Sequence, residues 1–211
     1  MSHPRFEDEL NRVLPADLPN RENVVRSAAR HLVLIVEANK VLNLTRITSP
    51  REAAIKHVLD SVMPWQLFPG AHHVLDAGTG AGFPGIPLAL VLPEIRFTLA
   101  ESIHKKARFV ESALGELKLP NAEIAPRRAE DLSGINVIAA RALAPIPRVL
   151  ALFRPALIVG ARLLLYKGPD AGQEIAEAAT EARRTGARME VVMRYELPDS
   201  LGTRTIVQIK A

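Results

Sequence analysis

The spacing of apolar and polar positions divides the chain into a helical front part and an alternating strand–helix remainder. Phe6, Leu10 and Val13-Leu14 recur at roughly helical intervals, which predicts a short helix over residues 5–15, ended by Pro15 and Pro19. Val24-Val25, Ala28-Ala29, Leu32 and Ile35-Val36 form one stripe over 21–39. Ser49-Pro50-Arg51-Glu52 has the form of a capping box with proline at the first helical position. The third helix it announces runs through Ile55, Val58-Leu59 and Val62 and stops at Pro64. Residues 1–68 therefore read as a small helical region, and 69–211 as the principal domain.

That domain opens on the stretch around which the chain is organised, HHVLDAGTGAGFPGIPLAL, residues 72–90. A short apolar run closes on Asp76, glycines follow at 78, 80, 82 and 85, and an apolar helical segment comes next. Strand, glycine turn and helix in that order form the entry unit of a nucleotide-binding α/β domain. Gly80-Ala-Gly82-Phe-Pro-Gly85 is a literal G-x-G-x-x-G, a pattern shared by dinucleotide sites. The extra glycine and the acid at the strand end favour the longer loop of an S-adenosylmethionine site. Asp76 either reaches a ligand ammonium or an ordered water, or caps the turn itself.

Further strands are expected at Ile95–Ser102, Ala122–Arg128, Asn136–Arg141 and Ala161–Gly168. Helices are expected between them, at Lys105–Leu117, Pro147–Leu157 and Asp170–Thr185. Glu101 falls where the second strand ends, the position from which a carboxylate holds the two hydroxyls of a ribose. Arg141 and Lys167 fall at the ends of the fourth and fifth strands. In the tail, Met189–Leu197 and Thr203–Lys210 are joined by five residues, too few for a crossover helix, so these two strands must be antiparallel neighbours.

Composition sharpens this picture at a few points. With 48% apolar residues in 211, one full domain and an appendage can bury a core. There is no cysteine, which excludes disulfides, thiolate zinc sites and a cysteine nucleophile together. No apolar run approaches the ~20 residues of a membrane span, and the polar start MSHPRFEDEL has no signal-peptide core. A cytoplasmic protein is expected. The net charge of +4 says little, but no acidic residue lies between Asp131 and Asp170, where Arg141, Arg148, Arg154, Arg162 and Lys167 all fall. Together with Lys105-Lys106, Arg108 and Arg127-Arg128, such a distribution suits a polyanion if it converges on one face.

Within the front part, Asn43 and Thr45 are short polar residues able to hold a connection rigid through local backbone bonds. His57 and Asp60 share a helix face but lack a third ligand, so no metal site is expected. His72 and His73, adjacent in a strand, point to opposite faces and cannot chelate together.

Taken together, these stretches resemble the RsmG (GidB) family, bacterial methyltransferases acting on guanine N7 of small-subunit (16S) ribosomal RNA. The resemblance rests on Asn43-Leu44-Thr45, His57-Val58-Leu59-Asp60-Ser61, the run from Asp76 to Leu88, Arg128-Ala129-Glu130, Arg141-Ala142, Lys167-Gly168 and Arg204-Thr205. It implies a class I, Rossmann-like methyltransferase fold: a mostly parallel sheet with one antiparallel hairpin strand, behind a small helical region. It implies S-adenosylmethionine as cofactor, held by Asp76, Gly78, Gly80, Phe83, Glu101 and the Ala129-Glu130 backbone, with Arg141 at the edge. Arg141 and Lys167 are the candidate catalytic residues, expected to hold an RNA phosphate or the guanine O6 edge, with Arg141 alternatively positioning the cofactor; the resemblance adds Asn43 and His57 on the RNA side. The partner would be 16S ribosomal RNA or the small subunit, bound by a monomer without metal. Glu101-Ser102, Ala140 and Tyr166 depart from the family's commoner residues at those places. A dehydrogenase using the same glycines is the alternative; the antiparallel tail and the lack of a clear tyrosine–lysine or histidine–acid pair disfavour it. A non-catalytic RNA-binding module is a second alternative, against which the intact Asp76, glycine loop and Glu101 speak.

Overall fold

The computed structural model describes residues 3–211; Met1 and Ser2, which begin the polar N-terminal stretch, lie outside the described residues. Seven strands form one sheet in the order β3-β2-β1-β4-β5-β7-β6. These are β1 (His73–Ala77), β2 (Arg96–Ala100), β3 (Ala122–Ala125), β4 (Val137–Arg141), β5 (Arg162–Lys167), β6 (Arg188–Glu196) and β7 (Thr203–Lys210). The first five pair in parallel, while β7 runs antiparallel to both β5 and β6. The short 197–202 connection forces that reversal, as the sequence requires. The sheet is the mostly parallel, one-strand-reversed sheet of class I methyltransferases.

Successive strand residues point to opposite faces, and the apolar runs are continuous because both faces are covered. Val74, Val137, Ala139, Leu164 and Ile206 enter one apolar layer; Leu75, Ile138, Ala140, Leu163 and Val207 enter the other. Helices Arg21–Leu42, Gly85–Val91 and His104–Leu117 cover the first, through residues such as Leu32, Ile86 and Val110. Helices Ile146–Ile158 and Ala171–Thr185 cover the second. The chain thus changes faces between β1 and β4, neighbours in the sheet, and leaves a crevice beyond their C-terminal ends. Phe6, Leu10, Ile55 and Val58 lie in the same layer as Val74 and Phe97, so residues from the 1–68 region share a core with the sheet.

The front part differs from expectation in two places. The helix beginning at Arg21 continues to Leu42, where Asn43 ends it in the left-handed conformation at φ 47°. The capping box does not form. Ser49 precedes the helix with Pro50 in its first turn, but its hydroxyl caps nothing, and Glu52 pairs with Lys56 at 2.8 Å instead. A partner one turn ahead offers that carboxylate an ion pair, which outcompetes a bond back to a single amide. The same helix widens into a π-turn over Ala54–Leu59, the stretch that carries His57. Such widenings are frequent at functional sites.

Gly85 begins its helix so close to β1 and β2 that an added Cβ would stand 2.6 Å from Asp76 Oδ2 and 2.8 Å from Leu99 Cγ. Gly85→Ala should therefore lower unfolding stability by about 1–3 kcal/mol. Gly115→Ala, at an exposed position of the His104–Leu117 helix with open space around it, should raise stability by about 0.5–1 kcal/mol. Urea unfolding of the two variants checks both signs.

Candidate active site

Asp76 is the last residue but one of β1 and is buried at 1% exposure. Its Oδ2 accepts the Thr79 hydroxyl at 2.6 Å and the Gly85 amide at 2.7 Å, tying both ends of the glycine loop to the strand that launches it. Oδ1 is buried with no partner among the described residues. These two bonds make Asp76 a clamp of the turn, and it lines neither of the two cavities described below. Burial outweighs the two hydrogen bonds and pushes its carboxyl up to about 6.

Two cavities adjoin at the C-terminal ends of β1 and β4. The smaller, about 260 Å³, is lined by Gly78, Glu101, Arg127, Ala129, Glu130 and Leu143 among others. Gly78 has φ +74°, and a Cβ there would come within 2.9 Å of Leu143 Cδ1. Only glycine combines that backbone with that clearance. Glu101 accepts the Ile103 amide at 2.8 Å and the Gly80 amide at 3.2 Å, one with each oxygen. A carboxylate has about four acceptor positions, so two remain for a diol. The donor set and the glycine floor fit the nucleoside of S-adenosylmethionine.

The larger cavity, about 730 Å³, is lined by Lys56, His57, Asp60, Arg141, Tyr166 and Lys167, with Arg204 at its wall. Arg141 Nη1 donates to Lys56 O at 2.9 Å and Asp60 Oδ2 at 3.2 Å. Its guanidinium lies 5.4 Å from the centre of the Phe83 ring. Arg204 Nε reaches Asp60 Oδ1 at 3.1 Å, and the Tyr195 hydroxyl donates to the same oxygen at 2.9 Å. Tyr166 donates to Ser61 O at 2.9 Å. Burial is the largest cause raising both tyrosine hydroxyls above their ordinary pKa, so both stay protonated. Lys167 Nζ is held by Ala144 O at 2.8 Å and Glu174 at 2.7 Å.

His57 stacks on Phe83 at 4.6 Å and 10°, its Nε2 3.1 Å from the Thr45 hydroxyl. Burial, then the Arg141 charge, drives its pKa down to about 3, so at neutral pH the ring is uncharged. His31, fully buried behind the same phenyl ring, lies 2.8 Å from Ala81 O and is held at about 4, burial again the main cause.

The structure thus brings together Gly78, Glu101, Ala129 and Glu130 in one cavity, and His57, Arg141 and Lys167 in the other. Phe83 lines neither; at 5% exposure it lies inside, with both histidines and Arg141 against it. Gly80 contributes an amide to Glu101 and no wall. Asn43 stands apart, in a groove formed with Leu44, Thr45 and Arg46. Asn39 holds that loop, its Oδ1 accepting the Leu44 and Thr45 amides at 2.6 and 3.0 Å. Sequence reasoning missed Asn39, His31 and Leu143. The first two sit inside an amphipathic pattern that masks them. Leu143 follows Ala142, whose φ of +54° is strained for a residue with a Cβ and has no compositional signature.

A family model described as GidB, rRNA small subunit methyltransferase G, matches residues 25–200. The chain belongs to the GidB family. "Ribosomal RNA small subunit methyltransferase G" of Solibacter usitatus is 64% identical over 208 residues, covering 97% of this chain and 99% of that protein. The protein of that name from Pelotomaculum thermopropionicum is 39% identical, covering 90% and 83%. Among solved structures, the O-methyltransferase from Bacillus cereus in complex with SAH superposes at TM-score 0.58 with 17% identity, over 86% of this chain and 91% of that one. TomG from Streptomyces achromogenes, in complex with SAM, gives 0.56 with 17% identity, over 88% and 90%. These two share the fold with this GidB chain.

The raised pKa of Asp76 has a consequence for stability. The unfolded carboxyl ionises near its ordinary value of about 4 and the folded one at about 6. Between those values the folded form holds the extra proton, so this residue's contribution falls as pH rises through the window. Asp76→Asn keeps an acceptor for Thr79 and Gly85 and cannot ionise. The variant's stability relative to the parent should rise by up to about 3 kcal/mol between pH 4 and 7. Urea unfolding at several pH values measures it; a pH-independent difference would contradict the assignment.

Proposed function

We propose that the two adjoining cavities are the halves of one methyl-transfer site, the smaller for the cofactor's nucleoside and the larger for a guanine of the small-subunit RNA. Family membership makes the chain a methyltransferase of small-subunit ribosomal RNA that uses S-adenosylmethionine and modifies guanine at N7. The observation carrying the two-cavity reading is the wall formed by Leu143 and Ala144, which lines both. S-adenosylmethionine, when bound, supplies an electrophilic methyl on a positively charged sulfur. Gly78, Glu101 and the Ala129-Glu130 backbone hold the nucleoside part.

Guanine N7 carries a lone pair and no proton, so its attack needs no general base. The larger cavity is furnished accordingly. Asp60 is engaged by Arg141, Arg204 and Tyr195, Glu174 by Lys167, and His57 is neutral yet too weak a base to hold a proton at pH 7. Positioning supplies the rate, on the order of 7–11 kcal/mol where reacting atoms are well aligned. Arg141 and Lys167 keep unused N–H donors beyond their protein bonds, and these fit the guanine O6 edge or a flanking phosphate. Asn43 and His57 belong to the RNA-facing side in this reading. The protein acts as a cytoplasmic monomer on 16S ribosomal RNA or the assembled subunit; no described helix is long and apolar enough to cross a membrane.

Labelled methyl from S-adenosylmethionine should enter unmodified small subunits and be recovered as 7-methylguanosine; label in any other nucleoside would overturn the chemistry. Glu101→Ala should raise the cofactor KM about tenfold or more, the loss expected for one charged hydrogen-bonding group. Arg141→Ala should cut kcat/KM by about a hundredfold, and near-normal kinetics in that variant would remove Arg141 from the site.

A further inference from the structure

The cofactor cavity carries a charge that its nucleoside does not need. Arg127, Arg128 and Arg148 all line it, arriving from two separate elements: the first two from the segment after β3, the third from the first turn of the Ile146–Ile158 helix. All three are exposed. Arg128 makes a loose contact of 3.6 Å with Glu130, whereas Arg127 and Arg148 make no ion pair or side-chain hydrogen bond among the described residues. The three arginines outnumber the two acids on the same wall, and neither acid pairs with Arg127 or Arg148: Glu101 accepts from two backbone amides and Glu130 meets only Arg128. S-adenosylmethionine has no phosphate. Its sulfonium and ammonium outweigh its one carboxylate, so its arrival makes this mouth more positive. Guanidiniums kept unpaired and solvated at such a place are donors for an anion that is not the cofactor.

We propose that Arg127 and Arg148 bind backbone phosphates of the substrate RNA across the mouth of the cofactor cavity, so that bound RNA covers the cofactor. This rests on the reading of the two cavities as one methyl-transfer site. Leu143 and Ala144 line both cavities, so a strand whose guanine enters the larger one passes beside the smaller. Two consequences follow. The cofactor enters before the RNA, and the spent cofactor leaves after it. The arginines contribute to RNA affinity electrostatically, without reading sequence.

The test uses the full chain and unmethylated small ribosomal subunits, comparing the parent with the double variant Arg127→Ala, Arg148→Ala and with Arg127→Lys, Arg148→Lys. In the double alanine variant the KM for subunits should rise at least tenfold, while S-adenosylhomocysteine affinity by calorimetry stays within twofold. The slope of log affinity against log salt should become shallower by roughly 1.4, two phosphate contacts in a single strand. The lysine variant should recover most of the affinity. In the parent, subunits should slow the release of labelled S-adenosylhomocysteine at least fivefold. Equal losses of cofactor and subunit affinity would assign the arginines to the cofactor and overturn the proposal; so would unchanged subunit affinity, or release of the cofactor at the same rate from the RNA complex. Failure of the parent to form 7-methylguanosine would be a separate result, striking the two-cavity reading itself.

Discussion

The site depends on one buried carboxylate. Asp60, at 1% exposure, takes Arg141 from β4, Arg204 from β7 and Tyr195 from β6, while its own helix supplies the Lys56 carbonyl to Arg141. Four parts of the chain meet there, the farthest of them, Arg204, 144 residues from Asp60 in sequence. Removing one ion from such a group leaves the rest buried and uncompensated, a cost of about 3–5 kcal/mol. That penalty, more than net attraction, makes the arrangement specific. A slipped hairpin register or a shifted front helix would strand Asp60 or an arginine without its partner. The reversed strand β7 thus does more than finish the sheet; it brings a second cation, Arg204, to the buried Asp60 at the wall of the larger cavity.

A second constraint works through Phe83, which sits in the glycine loop and is contacted by groups from outside it. His31 and His57 come from the front part, Arg141 from β4. A cation against one ring and a neutral imidazole stacked on it are mutually consistent: protonating His57 would put two positive charges around one phenyl group in a buried place. Burial and Arg141 both oppose that proton, which is why the ring is uncharged. The front part therefore has a physical role at the site. It holds the glycine loop from behind, through the His31 contact with Ala81 O and these aromatic contacts, while Asp76 clamps the loop from within.

The order of strands and helices was legible because it depends on local signals: apolar runs of strand length, glycine clusters, and a last linker too short for a crossover. Glu101, Arg141 and Lys167 were legible as strand-end residues for the same reason, since a parallel sheet delivers those ends to one edge. The partners that these residues find were not. Arg204 stood in the sequence as one of a pair of polar residues, and only the register of β7 against β5 and β6 carries it to Asp60. The capping box failed on a local competition, with Lys56 one turn ahead of Glu52. Asp76 illustrates a different limit. Position alone allowed a ligand contact or a structural clamp, and the clamp forms because Gly85 returns to within 2.7 Å of the carboxylate after a loop whose path no pattern specifies.

The two cavities also divide the charges in a way that suits the reaction. Alkylating N7 moves a positive charge from sulfur to the base and creates none, so a strong anion beside the acceptor would stabilise substrate and product states of the cofactor and base unequally. In the larger cavity the acids are neutralised by fixed cations, with the histidine neutral and the tyrosine hydroxyls protonated. The environment is polar but close to balanced, and its dipoles are already oriented, so little reorganisation accompanies transfer. The unpaired guanidiniums of Arg127 and Arg148 lie instead at the rim of the smaller cavity, exposed to water. There they raise the local concentration of a polyanion without entering the charge balance at the reacting atoms.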